Sequence, residues 1–255
     1  MLAWLDKCKG VHVADSAATA EAAGWRPKRS SRLSADVAAD VVDRIVRGTL
    51  REGTTLPNEA GLCEYYDVSR PVVREALKVV EQKGLIRIRQ GDGTTVLPKE
   101  QWFLLDADVL RISLGMDDSG TLRGDVLTLR RDLEMGMVAR SAARLSLADF
   151  TEMDRLLDRM DAATNWRDVQ DIDDQVHRII HRASGNDVAR AIVFQLVNEV
   201  RNINALYFTR EDYNESNASL RRVRDHLVAG DGKAAAAAMG EHISENWFFG
   251  QDPTN

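Results

Sequence analysis

The sequence predicts a mainly α-helical protein in two parts, an N-terminal winged helix-turn-helix with a small β-hairpin wing and a C-terminal all-α helical bundle. Three observations predict it. Between residues 34 and 84 lie three apolar-periodic segments that open on Ser or Asn caps. Immediately after them, Leu85-Ile86-Arg87-Ile88-Arg89 alternates and Gly91-Asp92-Gly93 turns the chain into Thr94-Thr95-Val96-Leu97, as a hairpin would. Beyond Pro98 the helical period runs on to residue 249 with strand signals essentially absent.

The elements follow in order. Ser34 is read as the cap of a first helix, with Val37, Val41, Val42, Ile45 and Val46 facing inward and Gly48 as its stop. A short link over 49–57 leads to Asn58, the cap of a second helix over 59–66, whose Leu62 and Tyr66 pack on the third. The third helix is the most informative stretch, Asp67-Val68-Ser69-Arg70-Pro71-Val72-Val73-Arg74-Glu75-Ala76-Leu77. Ser69 is placed to accept from first-turn N–H groups, and Pro71 is tolerated where no N–H is needed. Val73, Leu77 and Val80 form a core-facing stripe, so Arg70 and Arg74, four residues apart, project together from the other side. Two arginines on the open face of the third helix are the outline of a DNA recognition helix, with a hairpin behind it to act as a wing.

Here a family resemblance becomes specific. Residues 34–98 resemble the DNA-binding domain of GntR-type transcription regulators, through Leu56-Pro57-Asn58-Glu59, Val68-Ser69-Arg70-Pro71-Val72-Val73-Arg74-Glu75-Ala76-Leu77, Lys83-Gly84-Leu85-Ile86 and Arg89-Gln90-Gly91-Asp92-Gly93-Thr94. The resemblance implies that Ser69, Arg70, Val72 and Arg74 meet phosphates and base edges, and that Gln90, Gly91 and Gly93 lie in the wing that meets the DNA backbone or minor groove. Arg70 is the residue expected at a guanine, because a guanidinium bonds O6 and N7 together. Ala60 stands where many members carry an arginine, a departure expected to alter operator preference.

Net charge is −6 over 255 residues, yet its distribution is uneven. Residues 26–99 hold 14 Lys and Arg against 10 Asp and Glu, while residues 100–255 hold 18 against 27. A basic head on an acidic body suits phosphate attraction by the head alone. Part of the excess lies in Arg26-Pro27-Lys28-Arg29-Ser30-Ser31-Arg32, which reads either as an arm along the DNA backbone or as a solvated linker. No apolar run is long enough to span a bilayer, and the first residues lack the apolar stretch of a signal peptide. Only Cys8 and Cys63 are present, so no disulfide framework is expected and a reducing cytoplasm is the predicted compartment. The domain reading is a flexible extension over 1–32, the DNA-binding domain over 33–98, a linker with a short helix over 99–118, the helical domain over 119–250 and a tail over 251–255.

Within the helical part, helices are expected over about 119–146, 149–164, 168–184, 187–209, 214–230 and 231–249. One of them carries Asp173-Asp174-Gln175-Val176-His177, which puts a carboxylate and an imidazole one turn apart on one face. Such a pair makes either an ordinary i,i+4 contact or half of a divalent-metal site. The region resembles the FCD, or FadR-type, ligand-binding domain of the same regulators, through Leu129-Arg130-Arg131-Asp132-Leu133-Glu134, Asp173 and His177 followed by Ala183-Ser184-Gly185-Asn186, and Ala229-Gly230-Asp231 before a helix with His242. The resemblance implies a Zn, Ni or Mn-type cation on Asp173, His177 and His242, with Leu220 standing where a fourth ligand is usual. It also implies that Arg130 faces the pocket and pairs with an anionic effector; an ion pair with Glu134 is the competing reading. His226 lies too far along its helix to replace the missing ligand, and His181 reads equally as a wet surface residue.

The segment Gln101-Trp102-Phe103-Leu104-Leu105-Asp106-Ala107-Asp108-Val109-Leu110 is similar to the link in sugar-acid regulators of that family, including galactonate-type repressors, and implies a sugar acid or other hydroxy acid as effector. The expected molecule is a homodimer reading an inverted-repeat operator and released from it by the acid. The alternative is a metal-dependent enzyme on the helical bundle with the N-terminal domain as an anchor. Against it stands the lack of a nucleophile or general-base constellation beside the ligands.

Overall fold

The computed structural model describes residues 29–203 and 210–246, and it divides at Phe103 into two compact units. Of the extension read over 1–32, residues 1–28 lie outside the described residues, as does the tail read over 251–255.

The N-terminal unit holds helices α1 (Arg29–Val46), α2 (Glu59–Tyr66) and α3 (Arg70–Gln82), then strands β1 (Ile86–Arg89) and β2 (Gly93–Val96). The strands pair antiparallel with Ile86 opposite Val96 and Arg89 opposite Gly93, and Thr55 adds one bridge to Thr95. This is the winged helix-turn-helix expected. Its core is the inward face of α1 (Val37, Ala38, Val41, Val42, Ile45), Leu62 of α2, and Val73, Ala76, Leu77 and Val80 of α3. Each set repeats at three- and four-residue spacing, the period of one helix face.

Two capping expectations need correction. α1 begins at Arg29, before Ser34, which is buried and donates its hydroxyl back to the Ser31 carbonyl instead of opening the helix. Pro27 is the last breaker, and a Ser inside a helix turns its hydroxyl onto a preceding carbonyl. Residues 29–32 of the proposed extension or arm are therefore helical. Ser69 does stand at the N-cap of α3, but its side chain makes no cap hydrogen bond. Pro71 removes the N–H at the second helical position, and the Val72 and Val73 N–H groups go to the Ser69 carbonyl.

Asn58 caps α2 as expected, its side chain accepting from Gly61 N at 2.9 Å. The turn between α2 and α3 bends at Asp67, the only non-glycine with positive φ among the described residues, at 50°. A short polar side chain tolerates that conformation. After α3, Gly84 has φ 73°, and a Cβ there would stand 2.5 Å from the Gln101 carbonyl. The chain needs glycine at that point on both counts.

The second unit contains α4 (Ala107–Gly115), α5 (Thr121–Ser141), α6 (Leu147–Asp161), α7 (Trp166–Ser184), α8 (Asp187–Ile203), α9 (Arg210–Val228) and α10 (Gly232–Asn246). Asp106 caps α4 by accepting from the Asp108 and Val109 N–H groups, and Ser146 with Asp149 forms a reciprocal capping box on α6. The main core joins Val138 of α5, Leu156 and Leu157 of α6, Val176 and Ile180 of α7, Leu220 and Val223 of α9, and Met239 and Ile243 of α10. α10 packs against α5 and α9, and α5 also packs against α7. The closeness of α5 and α10 follows from small residues, since a Cβ on Gly232 would meet the Ala139 carbonyl at 2.8 Å. Among the described residues no helix is long and apolar enough to cross a membrane.

Candidate DNA-reading face and candidate metal centre

The outward side of α3 carries Ser69, Arg70 and Arg74, all exposed. Val72 does not join them. It is 5% exposed and packs inside with Val73, Ala76 and Leu77, because the inward face of α3 is wider than the Val73, Leu77, Val80 stripe. A side chain in that position supports the helix and offers nothing to a base edge. Lys78, exposed one turn beyond Arg74, extends the basic row and was legible from the same four-residue spacing.

Arg74 is occupied: its Nε lies 2.8 Å from Glu59 Oε1 and 2.9 Å from Oε2, reaching from α3 to the first residue of α2. The guanidinium beside Glu59 lowers that carboxyl from its ordinary range. In the wing, Gln90, Gly91 and Gly93 are exposed, with φ of 92° at Gly91 and 89° at Gly93 carrying the tight turn. Arg87 and Arg89 on β1 are exposed as well, so the hairpin has a basic side.

In the second unit, α5, α7 and α10 bring Glu134, Asp173, His177, His181 and His242 into one cluster. Glu134 is fully buried, at 0% exposure. Arg130 Nε donates to its Oε1 at 2.6 Å, His181 Nε2 donates to Oε2 at 2.8 Å, and His177 Nδ1 bonds the same Oε2. Burial alone would raise this carboxyl, but the His177 and Arg130 charges hold it well below the ordinary Glu value. His181 is therefore an interior member of the cluster and no surface residue. Arg130 makes the Glu134 ion pair, the competing reading of that residue, on the margin of the cluster with its side chain 11% exposed.

Beyond this carboxylate the geometry turns outward from one histidine to the next. With Nδ1 engaged by Glu134, His177 presents Nε2, 3.2 Å from His242 Nε2 and 3.7 Å from Asp173 Oδ2. Asp173 Oδ1 lies 3.2 Å from His242 Nε2, within ion-pair reach, yet the atom is buried and makes no hydrogen bond, so the angle is not that of a donated proton. Asp173 is held below the ordinary Asp value: burial opposes its charge, and His177 and His242 more than offset that. Of the two facing histidines, burial lowers both, but the Glu134 and Asp173 charges carry His177 above its ordinary value while His242 stays below.

Asp173, His177 and His242 each offer one ligand atom, all within 4.8 Å of one another. An orphaned buried carboxylate oxygen and two imidazole nitrogens turned inward fit a divalent cation. Glu134, His177 and His181 also converge within that limit, but the Arg130 guanidinium on Glu134 repels a second cation there. Leu220 is no ligand: it is buried in the main core, with apolar neighbours. His226 lies outside both ligand groups.

A winged helix-turn-helix head joined to an all-α domain is an architecture of transcriptional regulators, and the comparisons with known proteins place the chain among them. The chain belongs to the gntR family of bacterial regulatory proteins, whose model matches residues 33–96, and an FCD domain matches residues 125–245. The galactonate operon transcriptional repressor of Escherichia coli is 29% identical over 150 residues, 58% of this chain and 66% of that protein, so the match spans just under two thirds of its length. The Exu regulon transcriptional regulator of Escherichia coli is 26% identical over 218 residues, covering 83% of this chain and 82% of that one. Among solved structures, Lar, which controls the expression of the Listeria monocytogenes agr system, matches with a TM-score of 0.51 at 15% identity, over 84% of this chain and 94% of that one. The last likeness shows the fold alone. The family and these relatives are transcription regulators, which removes the enzyme alternative.

Proposed function

We propose that this regulator is a repressor that binds an inverted-repeat operator as a homodimer and leaves it when a small carboxylate, a sugar acid or hydroxy acid, enters the C-terminal domain. The observation that carries the reading is the buried cluster of Asp173, His177 and His242, with its lone-pair atoms within 4.8 Å. Its charge explains the effector class. Asp173 and Glu134 are anionic and Arg130 is cationic, a buried excess of one negative charge that one proton on His177 neutralises. A divalent cation in place of that proton leaves one positive charge, and a monocarboxylate restores neutrality.

Asp173, His177 and His242 would hold the cation, of Zn, Ni or Mn type, and three protein ligands leave it open positions for oxygen donors of an acid. Arg130, on the margin of the cluster, would pair with a second oxygen of that acid. The repression sense and the sugar-acid class draw support from the galactonate operon repressor among the relatives.

At the other end, Ser69, Arg70 and Arg74 with Gln90, Gly91 and Gly93 would meet the operator, Arg70 at a guanine. An acid that favours one placement of the two heads over another shifts operator affinity, and the operator shifts acid affinity by the same factor. Fluorescence anisotropy on fragments upstream of the regulator's own gene, with a panel of sugar acids and with and without chelator, tests this. Specific binding released by one acid, and release lost with chelator, is the expected result. Binding untouched by every acid would remove the effector reading.

A further inference from the structure

The structure assigns Ser219 a role that the metal-ligand pattern does not reveal: it is a positioning residue that fixes the tautomer of His242, so that Nε2 faces the cluster as a lone pair. Ser219 on α9 is fully buried, as is His242 on α10 at 2% exposed. Its hydroxyl donates to the Ser216 carbonyl at 2.8 Å. A hydroxyl has one proton, so toward His242 Nδ1, 2.7 Å away, it acts as acceptor. His242 therefore carries its proton on Nδ1, and its Nε2, turned toward Asp173 and His177, is unprotonated. This agrees with the orphaned Asp173 Oδ1, which lies 3.2 Å from that nitrogen and makes no hydrogen bond with it.

Glu134 orients His177 from the opposite side, accepting a hydrogen bond from Nδ1–H and so turning Nε2 toward the centre. Ser219 and Leu220 are neighbours on α9 with different tasks, because successive helical positions point about 100° apart. Leu220 enters the apolar core, whereas Ser219 reaches the imidazole.

Without the hydroxyl, His242 has a better use for its proton. On Nε2 it lies against the Asp173 carboxylate, whose Oδ1 is 3.2 Å away, a charge attraction that a proton on Nδ1 does not gain, and the lone pair that a cation needs is gone. Ser219→Ala is thus expected to flip His242 from the Nδ1–H to the Nε2–H form, read in cation-free protein by histidine 15N chemical shifts. The second readout rests on the cation reading above: Zn2+ titrated against a chromophoric chelator should bind Ser219→Ala with unchanged stoichiometry and about 10–100-fold lower affinity, the usual effect of losing a residue that orients a ligand. Asp173→Ala, which removes a ligand, should abolish the equivalent, and thermal melting checks that Ser219→Ala is folded. An unchanged tautomer in Ser219→Ala overturns the assignment. Wild-type protein that takes up no Zn2+, with the flip still present, upholds the role of Ser219 and overturns the cation reading instead.

Discussion

Glu134 shows how much one side chain in this fold holds together. It is wholly buried and accepts from Arg130, His177 and His181, three donors on two adjacent helices, α5 and α7. Replacing a buried ion pair by a matched apolar set is often neutral, but deleting one partner strands the others without compensation. Glu134→Ala should therefore cost about 3–5 kcal/mol of stability in urea denaturation of the cation-free protein. A loss below about 1 kcal/mol would mean that the interior does not depend on this carboxylate. The sequence showed Glu134 only as the i+4 neighbour of Arg130, since its contact to His177 spans 43 residues and no local period marks it. Asp173 and His177 were legible because one helical turn joins them, and His242 only through the family pattern. Ser219 was invisible for a plainer reason: a serine on a helix says nothing of which way its hydroxyl points. Val72 was the opposite case, since a helical wheel already sets it beside Val73 and Ala76 on the inward face.

Elements were more legible than contacts because caps and periods are local signals. The helices of the second unit begin within four residues of their expected starts and, where the expected end lies among the described residues, end within five of it, and Asn58 sits at the helix start anticipated for it. The misplaced start at Ser34 came from reading a Ser before an apolar run as a cap, when nothing after Pro27 stops the helix from beginning at Arg29. A cap that is real shows its worth at the start of α6. There the Ser146 side chain accepts from Asp149 N, and Asp149 Oδ2 accepts from both Ser146 N and Ser146 Oγ, while Arg182 of α7 pairs with Oδ1. The Ser146 hydroxyl and N–H, with Arg182 adding its charge, hold the Asp149 carboxyl below its ordinary 3.8. The unfolded chain therefore takes up this proton at higher pH than the folded one, so the stabilisation is complete above 3.8 and drains as pH falls further, through the folded value. Asp149→Ala should cost about 1 kcal/mol at neutral pH, with the difference from wild type closing in acid. Thermal melts at pH 7 and near pH 3 check it, and a gap that stays constant across that range would put the contribution elsewhere.

At the scale of the whole molecule, the proposed function divides between a basic head and an acidic body, and single substitutions should divide it too. The two units separate at Phe103, the reading face lies wholly in the first and the buried cluster wholly in the second. Arg70→Ala should weaken binding to the operator by about 1–3 kcal/mol relative to random duplex, since a bidentate guanine contact carries discrimination of that size. Its affinity for acid, measured without DNA, should stay as in the wild type. Asp173→Ala should do the reverse, with operator binding retained and release by acid lost, because that side chain belongs to the cluster of the second unit and not to the reading face of the first. Glu59 supplies a finer separation within the head: it holds Arg74 in the absence of DNA, so Glu59→Gln frees a guanidinium for phosphate. Tighter binding to any duplex with a poorer preference for the operator is the outcome expected, because phosphate contacts position whereas base contacts specify. Anisotropy titrations of all three variants against operator and random duplex decide the matter. If Asp173→Ala lost operator binding as fully as Arg70→Ala, the centre would be needed for folding, and its proposed part as a sensor would fall.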